Sequence, residues 1–142
     1  MAKITARWVE EKLMVATDSN NHSIVVGRMN DPENPWRGVK PSELLLMAVA
    51  TCSMWDVIEI LLKQREPLRD LQVETSGDQM AEPPYSFTKI HSHFIAFGEV
   101  NPQKLEKAIR LSEDKYCSVI NTLRPGVSIT SDYEVRDQGS GD

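Results

Sequence analysis

The stretch KPSELLLMAVATCSMWDVIEILLKQREP, residues 40–67, decides how the rest of the chain is read. Pro41 stands where a helix has no use for its missing N–H, at a first helical position, and Glu43 falls in the first turn. Leu44 to Ala50 follow, the pattern continues without a breaker to about Gln64, and Pro67 lies beyond the end. A helix from Pro41 to about Gln64 is therefore predicted. Its first half is apolar on every face, which calls for burial from all sides, more than a small monomer can provide, so a second subunit is expected to complete the cover. The longest apolar run, Leu44 to Ala50, falls well short of the roughly 20 residues of a membrane span. Met1 to Arg7 carries charge but leads into no apolar signal core. A soluble, cytoplasmic protein without a membrane partner is the expectation.

On the N-terminal side, Ile4 to Val9, Leu13 to Thr17 and Ser23 to Val26 are short β-branched or alternating runs separated by polar residues, and they read as a three-strand meander. Gly27 to Lys40 holds Asp31-Pro32, Asn34-Pro35 and Gly38, and reads as a long loop. On the C-terminal side, Leu68 to Ser76 and Phe87 to Phe97 read as a strand pair joined by a Gly77 to Ser86 loop. In the second of these strands, Thr88, Ile90, Ser92, Phe94 and Ala96 share one face, and Lys89, His91, His93, Ile95 and Phe97 the other. Asn101-Pro102 opens a second helix with Leu105, Ala108, Ile109, Ser112 and Tyr116 at helical spacing. Pro125-Gly126 then breaks the chain before a last strand, Val127 to Val135. The fold class is α+β, a single domain over residues 1–135, with a polar tail over 136–142.

The chain has 142 residues, with 16 basic against 21 acidic and a net charge of −5. It has no Lys/Arg cluster of the kind that neutralises a phosphate backbone, so no nucleic-acid partner is expected. Two cysteines, Cys52 and Cys117, are too few for a secreted disulfide scaffold, and in a reducing compartment a bridge between them would be transient and chemical. Cys52 sits in the middle of the apolar helix, one turn from Ala48 and from Asp56. Cys117 closes the second helix. Taken singly, each reads first as a small core hydrophobe.

The segment from Lys40 through Ser53 resembles the helix entry of the OsmC/Ohr family (osmotically inducible protein C, organic hydroperoxide resistance), which carries a reactive cysteine at mid-helix. Ser112-Glu113-Asp114-Lys115-Tyr116-Cys117-Ser118-Val119 resembles that family's second-cysteine motif, in the same order and at a similar distance. The order of elements also agrees, and the likeness is nearest to the OsmC-like branch. The resemblance implies an intertwined α+β homodimer with no cofactor, in which Cys52 is the peroxidatic and Cys117 the resolving cysteine. It further implies an organic hydroperoxide as substrate and a dithiol reductant, lipoyl or another small thiol. In the family an acidic residue follows the helix-entry proline and pairs with an arginine of the first hairpin. Here Ser42 holds the acidic position, Glu43 points about 100° away around the helix, and Glu10-Glu11-Lys12 occupies the hairpin. Arg28 and Arg37 are the candidate replacements, with Ser42 and Glu43.

An apolar pocket for the peroxide tail would draw on Leu45, Met47 and Trp55, with Trp36 at its rim. His91 and His93 share a strand face, but no third ligand is identifiable and no metal site is expected. The competing function is a non-catalytic OsmC-like dimer that binds a small apolar or electrophilic ligand, or senses oxidation.

Overall fold

Short alternating runs fold the beginning of the chain into an antiparallel meander of β1 (Thr5–Glu10), β2 (Lys12–Thr17) and β3 (Ser23–Arg28). The structure is a computed structural model that describes residues 1–137. Two compact units divide it, Met1–Leu45 and the chain from Leu46 onward. In the first, Glu11 alone turns β1 into β2 at φ +48°. Between β2 and β3 the Asp18 carboxylate accepts the N–H groups of Asn20 and His22, both at 2.8 Å. β3 runs two residues past the expected Val26 because Gly27 adopts φ +107°, where an added Cβ would lie 1.9 Å from the Lys12 carbonyl oxygen. The loop that follows is laid along β3, through bridges between Val26 and Val39 and between Arg28 and Trp36. One-residue and five-residue connections hold the meander together, yet it builds no core of its own: Trp8 is 75 % exposed, and Val9, Ile24 and Val25 are also open.

Helix α1 (Pro41–Lys63) carries the chain from the first unit into the second. By length and composition alone it would suffice to cross a membrane. Its buried stripe, Val49, Ser53, Val57 and Leu61, repeats every four residues and makes it instead a core helix of the second unit. The all-round burial expected of it is thus not met within one chain: Met47, Leu62 and above all Trp55, 74 % exposed, face outward.

The second unit's sheet has the order β4–β5–β6, with β4 (Asp70–Gln79) antiparallel and β6 (Ser128–Arg136) parallel to the central β5 (Phe87–Phe97). The period of two places Ile90, Ser92, Phe94 and Ala96 inward, and all four are buried. One core cluster gathers Val57 and Leu61 of α1, Phe94 and Ala96 of β5, and Leu105, Ala108 and Ile109 of the next helix. On the opposite face His93 lies between two carboxylates of β6: its Nδ1 is 2.7 Å from Asp132 and its Nε2 3.0 Å from Glu134. His91 faces Thr130 at 2.7 Å and Asp132 at 3.0 Å.

Helix α2 (Pro102–Leu111) begins as the Asn101-Pro102 pair predicts, with the Asn101 side chain accepting the N–H groups of Gln103 and Lys104. It does not continue to Tyr116. From Ser112 to Tyr116 the backbone widens into a π-turn, which closes with the Cys117 N–H donating to the Ser112 carbonyl at 2.8 Å. Cys117 then turns extended, and a short helix α3 (Ser118–Leu123), absent from the sequence reading, follows before β6. β6 extends through Arg136, one residue into the expected tail; residues 138–142 of that tail lie outside the described residues.

Candidate active site

Two elements bring sulfur together in the second unit. Cys52 lies at mid-α1, and Cys117 joins the π-turn to α3. Cys117 is wholly buried in a cluster with Val49, Ile90 and Ile120, and Cys52, half-buried, packs against that cluster beside Leu46 and Phe87. The two thiols are free and interact with one another.

Their environments differ. Burial pushes the Cys117 thiol up to about 12 by withholding water from its anion. The Ile120 N–H, donated to Cys117 Sγ at 3.4 Å, pulls the other way and does not prevail; the neighbouring Cys52 thiol adds to the rise. Cys117 is therefore held as a thiol. Cys52 is the sulfur that a reagent from solution can reach.

The π-turn that presents Cys117 is fixed from several sides. Glu113 within it is buried, and burial raises its carboxyl against the opposing pull of Ser131, whose Oγ donates to Oε1 at 3.0 Å. The Glu113 carbonyl accepts from Asn121 Nδ2 at 3.1 Å and Arg124 Nη2 at 2.6 Å. Ser112, also wholly buried, donates its hydroxyl to Asp56 Oδ2 at 2.8 Å. Sequence reasoning passed over Ser112 and Glu113. In a run reading Ser-Glu-Asp-Lys-Tyr nothing marks the first two for burial, apart from the helical spacing that had put Ser112 on the apolar stripe of α2.

The candidate activators and the rim tryptophan lie in the first unit. Arg37 is held by Asp31, Nη2 to Oδ2 at 2.7 Å, and donates from Nε to the Asn34 carbonyl at 3.1 Å. The Arg28 guanidinium lies 5.7 Å and Lys40 Nζ 5.0 Å from the centre of the Trp36 ring, a cation–π stack. Glu43 is exposed, 3.8 Å from Lys40 Nζ, while Ser42 and Leu45 are half-buried. Of the expected pocket residues in the second unit, Met47 is exposed, and Trp55 lines a shallow, largely apolar depression of about 350 Å³ with Thr51, Met54, Ile58 and Glu59.

The arrangement finds close relatives among known proteins. A family model described as OsmC-like protein matches residues 32–132. Protein YhfA of Escherichia coli K12 is 35 % identical over 130 residues, covering 91 % of this chain and 94 % of the relative. Among solved structures, an OsmC-like protein from Mycoplasma pneumoniae superposes with a TM-score of 0.81 at 17 % identity, covering 96 % of this chain and 97 % of the other. An organic hydroperoxide resistance protein OsmC from Legionella pneumophila gives 0.71 at 14 % identity, over 95 % and 97 %. At these identities the two structures speak for the fold alone.

Proposed function

The chain belongs to the OsmC-like protein family, and from that premise we propose that it is a cytoplasmic homodimer that reduces organic hydroperoxides by a two-cysteine thiol cycle. One observation carries the reading: a half-buried thiol, Cys52, interacts with a fully buried one, Cys117, whose proton is held tightly. The division of labour follows. Thiolate is the nucleophile, so Cys52, the reachable sulfur, attacks the outer peroxide oxygen; the O–O bond breaks, the alcohol departs with a proton, and Cys52 becomes a sulfenic acid. Cys117 displaces the sulfenic hydroxyl, its own proton leaving with that hydroxyl as water, and a disulfide forms. An external dithiol, lipoyl or another small thiol, returns the two electrons. That relatives of this fold carry the name organic hydroperoxide resistance protein supports the substrate class.

A second copy of the chain is the natural cover for the open apolar surface of each unit, Trp8, Val9, Ile24 and Val25 in the first and Met47, Trp55 and Leu62 in the second. The rival reading, ligand binding or oxidation sensing without turnover, draws on the engagement of the candidate activators elsewhere: Arg37 by Asp31, and Arg28 stacked on Trp36. Titrating the reduced protein with tert-butyl hydroperoxide and counting free thiols separates the two. Turnover predicts loss of two thiols per chain, an intramolecular disulfide, no bridge in Cys52→Ser or Cys117→Ser, and recovery with a dithiol. Persistence of both thiols in excess peroxide refutes the peroxidase.

A further inference from the structure

Between the two cysteines runs a polar connection that the redox cycle described above does not use. Asp56 stands one helical turn after Cys52, on the same side of α1. Its Oδ2 accepts the hydroxyl of Ser112 at 2.8 Å. Ser112 Oγ also lies 3.5 Å from the Ser53 carbonyl, but a hydroxyl has one hydrogen and the shorter, charge-assisted contact takes it. The carbonyl of this same Ser112 accepts the Cys117 N–H at 2.8 Å. Two hydrogen bonds thus lead from the Cys52 turn of α1 to the backbone of Cys117, both through Ser112.

The position of Ser112 in the chain gives that path its importance. It is where α2 ends and the backbone opens from i→i+4 to i→i+5 closure, the local insertion that sends Cys117 off the helical register by about 100°. The core cluster that α2 shares with α1 is apolar, with Ala108 and Ile109 in it alongside Val57 and Leu61. Apolar packing fixes contact but has little directional preference. A short hydrogen bond from a wholly buried hydroxyl to a carboxylate sets both distance and direction.

We infer that Ser112, tethered to Asp56, is the positioning residue that sets the approach of the Cys117 sulfur to Cys52 and so the readiness of the pair to bridge. The inference rests on the two-cysteine reading of the site. Its test needs no peroxide: the pair is equilibrated with reduced and oxidised dithiothreitol, two electrons and two protons pass per disulfide, and the bridged fraction is read by mass after alkylation.

Ser112→Ala and Asp56→Ala are each expected to lower the effective concentration of one thiol at the other about tenfold. That reads as a midpoint potential less negative by about 30 mV for a two-electron couple. Asp56→Asn keeps an acceptor oxygen for the Ser112 hydroxyl and is expected to stay nearer the wild-type potential than Asp56→Ala. The double variant should move no further than either single one, because both remove the same bond. Asp56 is only half-buried, so Asp56→Ala serves if Ser112→Ala does not fold. Potentials within about 5 mV of wild type, a shift towards more negative values, Asp56→Asn displaced as far as Asp56→Ala, or additive single effects would each overturn the inference. A wild-type pair that bridges in dithiothreitol but resists peroxide refutes the peroxidase and leaves the tether standing.

Discussion

In a Cys52→Ser chain, Cys117 is expected to resist a disulfide reagent by a margin that follows from its burial. With Cys52 in place the Cys117 thiol is held at about 12, chiefly by burial and in smaller part by Cys52. Removing Cys52 leaves the burial, so about 12 bounds the effect from above, and at pH 8 it means about one part in ten thousand ionised against roughly one-quarter for an unperturbed cysteine at about 8.5. Ionisation alone therefore costs at most about 2,000-fold. Part returns, because a more basic thiolate is the stronger nucleophile: a Brønsted slope of about 0.4 to 0.5 over roughly 3.5 pKa units gives back a factor of about 25 to 55. Cys117 should react up to about 40 to 100 times more slowly than a cysteine in an unfolded peptide, before any steric hindrance is counted. Complete burial slows it further. Release of nitrothiobenzoate from Ellman's reagent, followed at pH 8 with and without denaturant, measures the ratio directly. A native rate within about fivefold of the denatured one would refute the reasoning, and with it the assignment of Cys52 as the first sulfur to react.

Two other outcomes are expected. Leu61→Ala empties a wholly buried site in the core cluster and should cost about 3 to 5 kcal/mol in urea unfolding; a loss under about 1 kcal/mol would contradict that packing. The seam of His93 with Asp132 and Glu134 should give stability a pH dependence of worked sign. Glu134 and then Asp132 raise the His93 pKa above its ordinary 6.5, so its contribution is complete below 6.5 and lost as pH rises through the raised folded value. The Asp132 and Glu134 carboxyls are held below their ordinary 3.8 and 4.5, first by His93 and Arg136 respectively, so their share is lost as pH falls through those lowered values. The seam should stabilise most between about pH 5 and 6.5, and His93→Gln should flatten the alkaline limb of a melting-temperature profile. An unchanged limb would contradict the charged state inferred from the two contacts.

Much of the fold is legible in local chemistry. Pro41 and the unbroken apolar run locate α1, Asn101-Pro102 locates the start of α2, and period-two alternation assigns the two faces of β5, because each is a property of a few neighbouring residues. The π-turn is not legible. Ser112 to Tyr116 keeps a helical pattern, and the widening that replaces the last turn of α2 is secured by partners outside it, Asp56 far before it and Asn121, Arg124 and Ser131 after it. With the π-turn came α3, whose six residues carry too little periodicity to announce a helix.

The same line divides the site. The sequence by itself determined that there are two cysteines, one at mid-helix and one read as closing a second helix, and the motifs around them assigned the family. Only the tertiary structure decided that the two thiols interact, that Cys117 is the one deprived of water, and that Ser112 links their two segments. Burial and contact between residues some 60 positions apart arise from the packing of whole elements, and no local spacing encodes them.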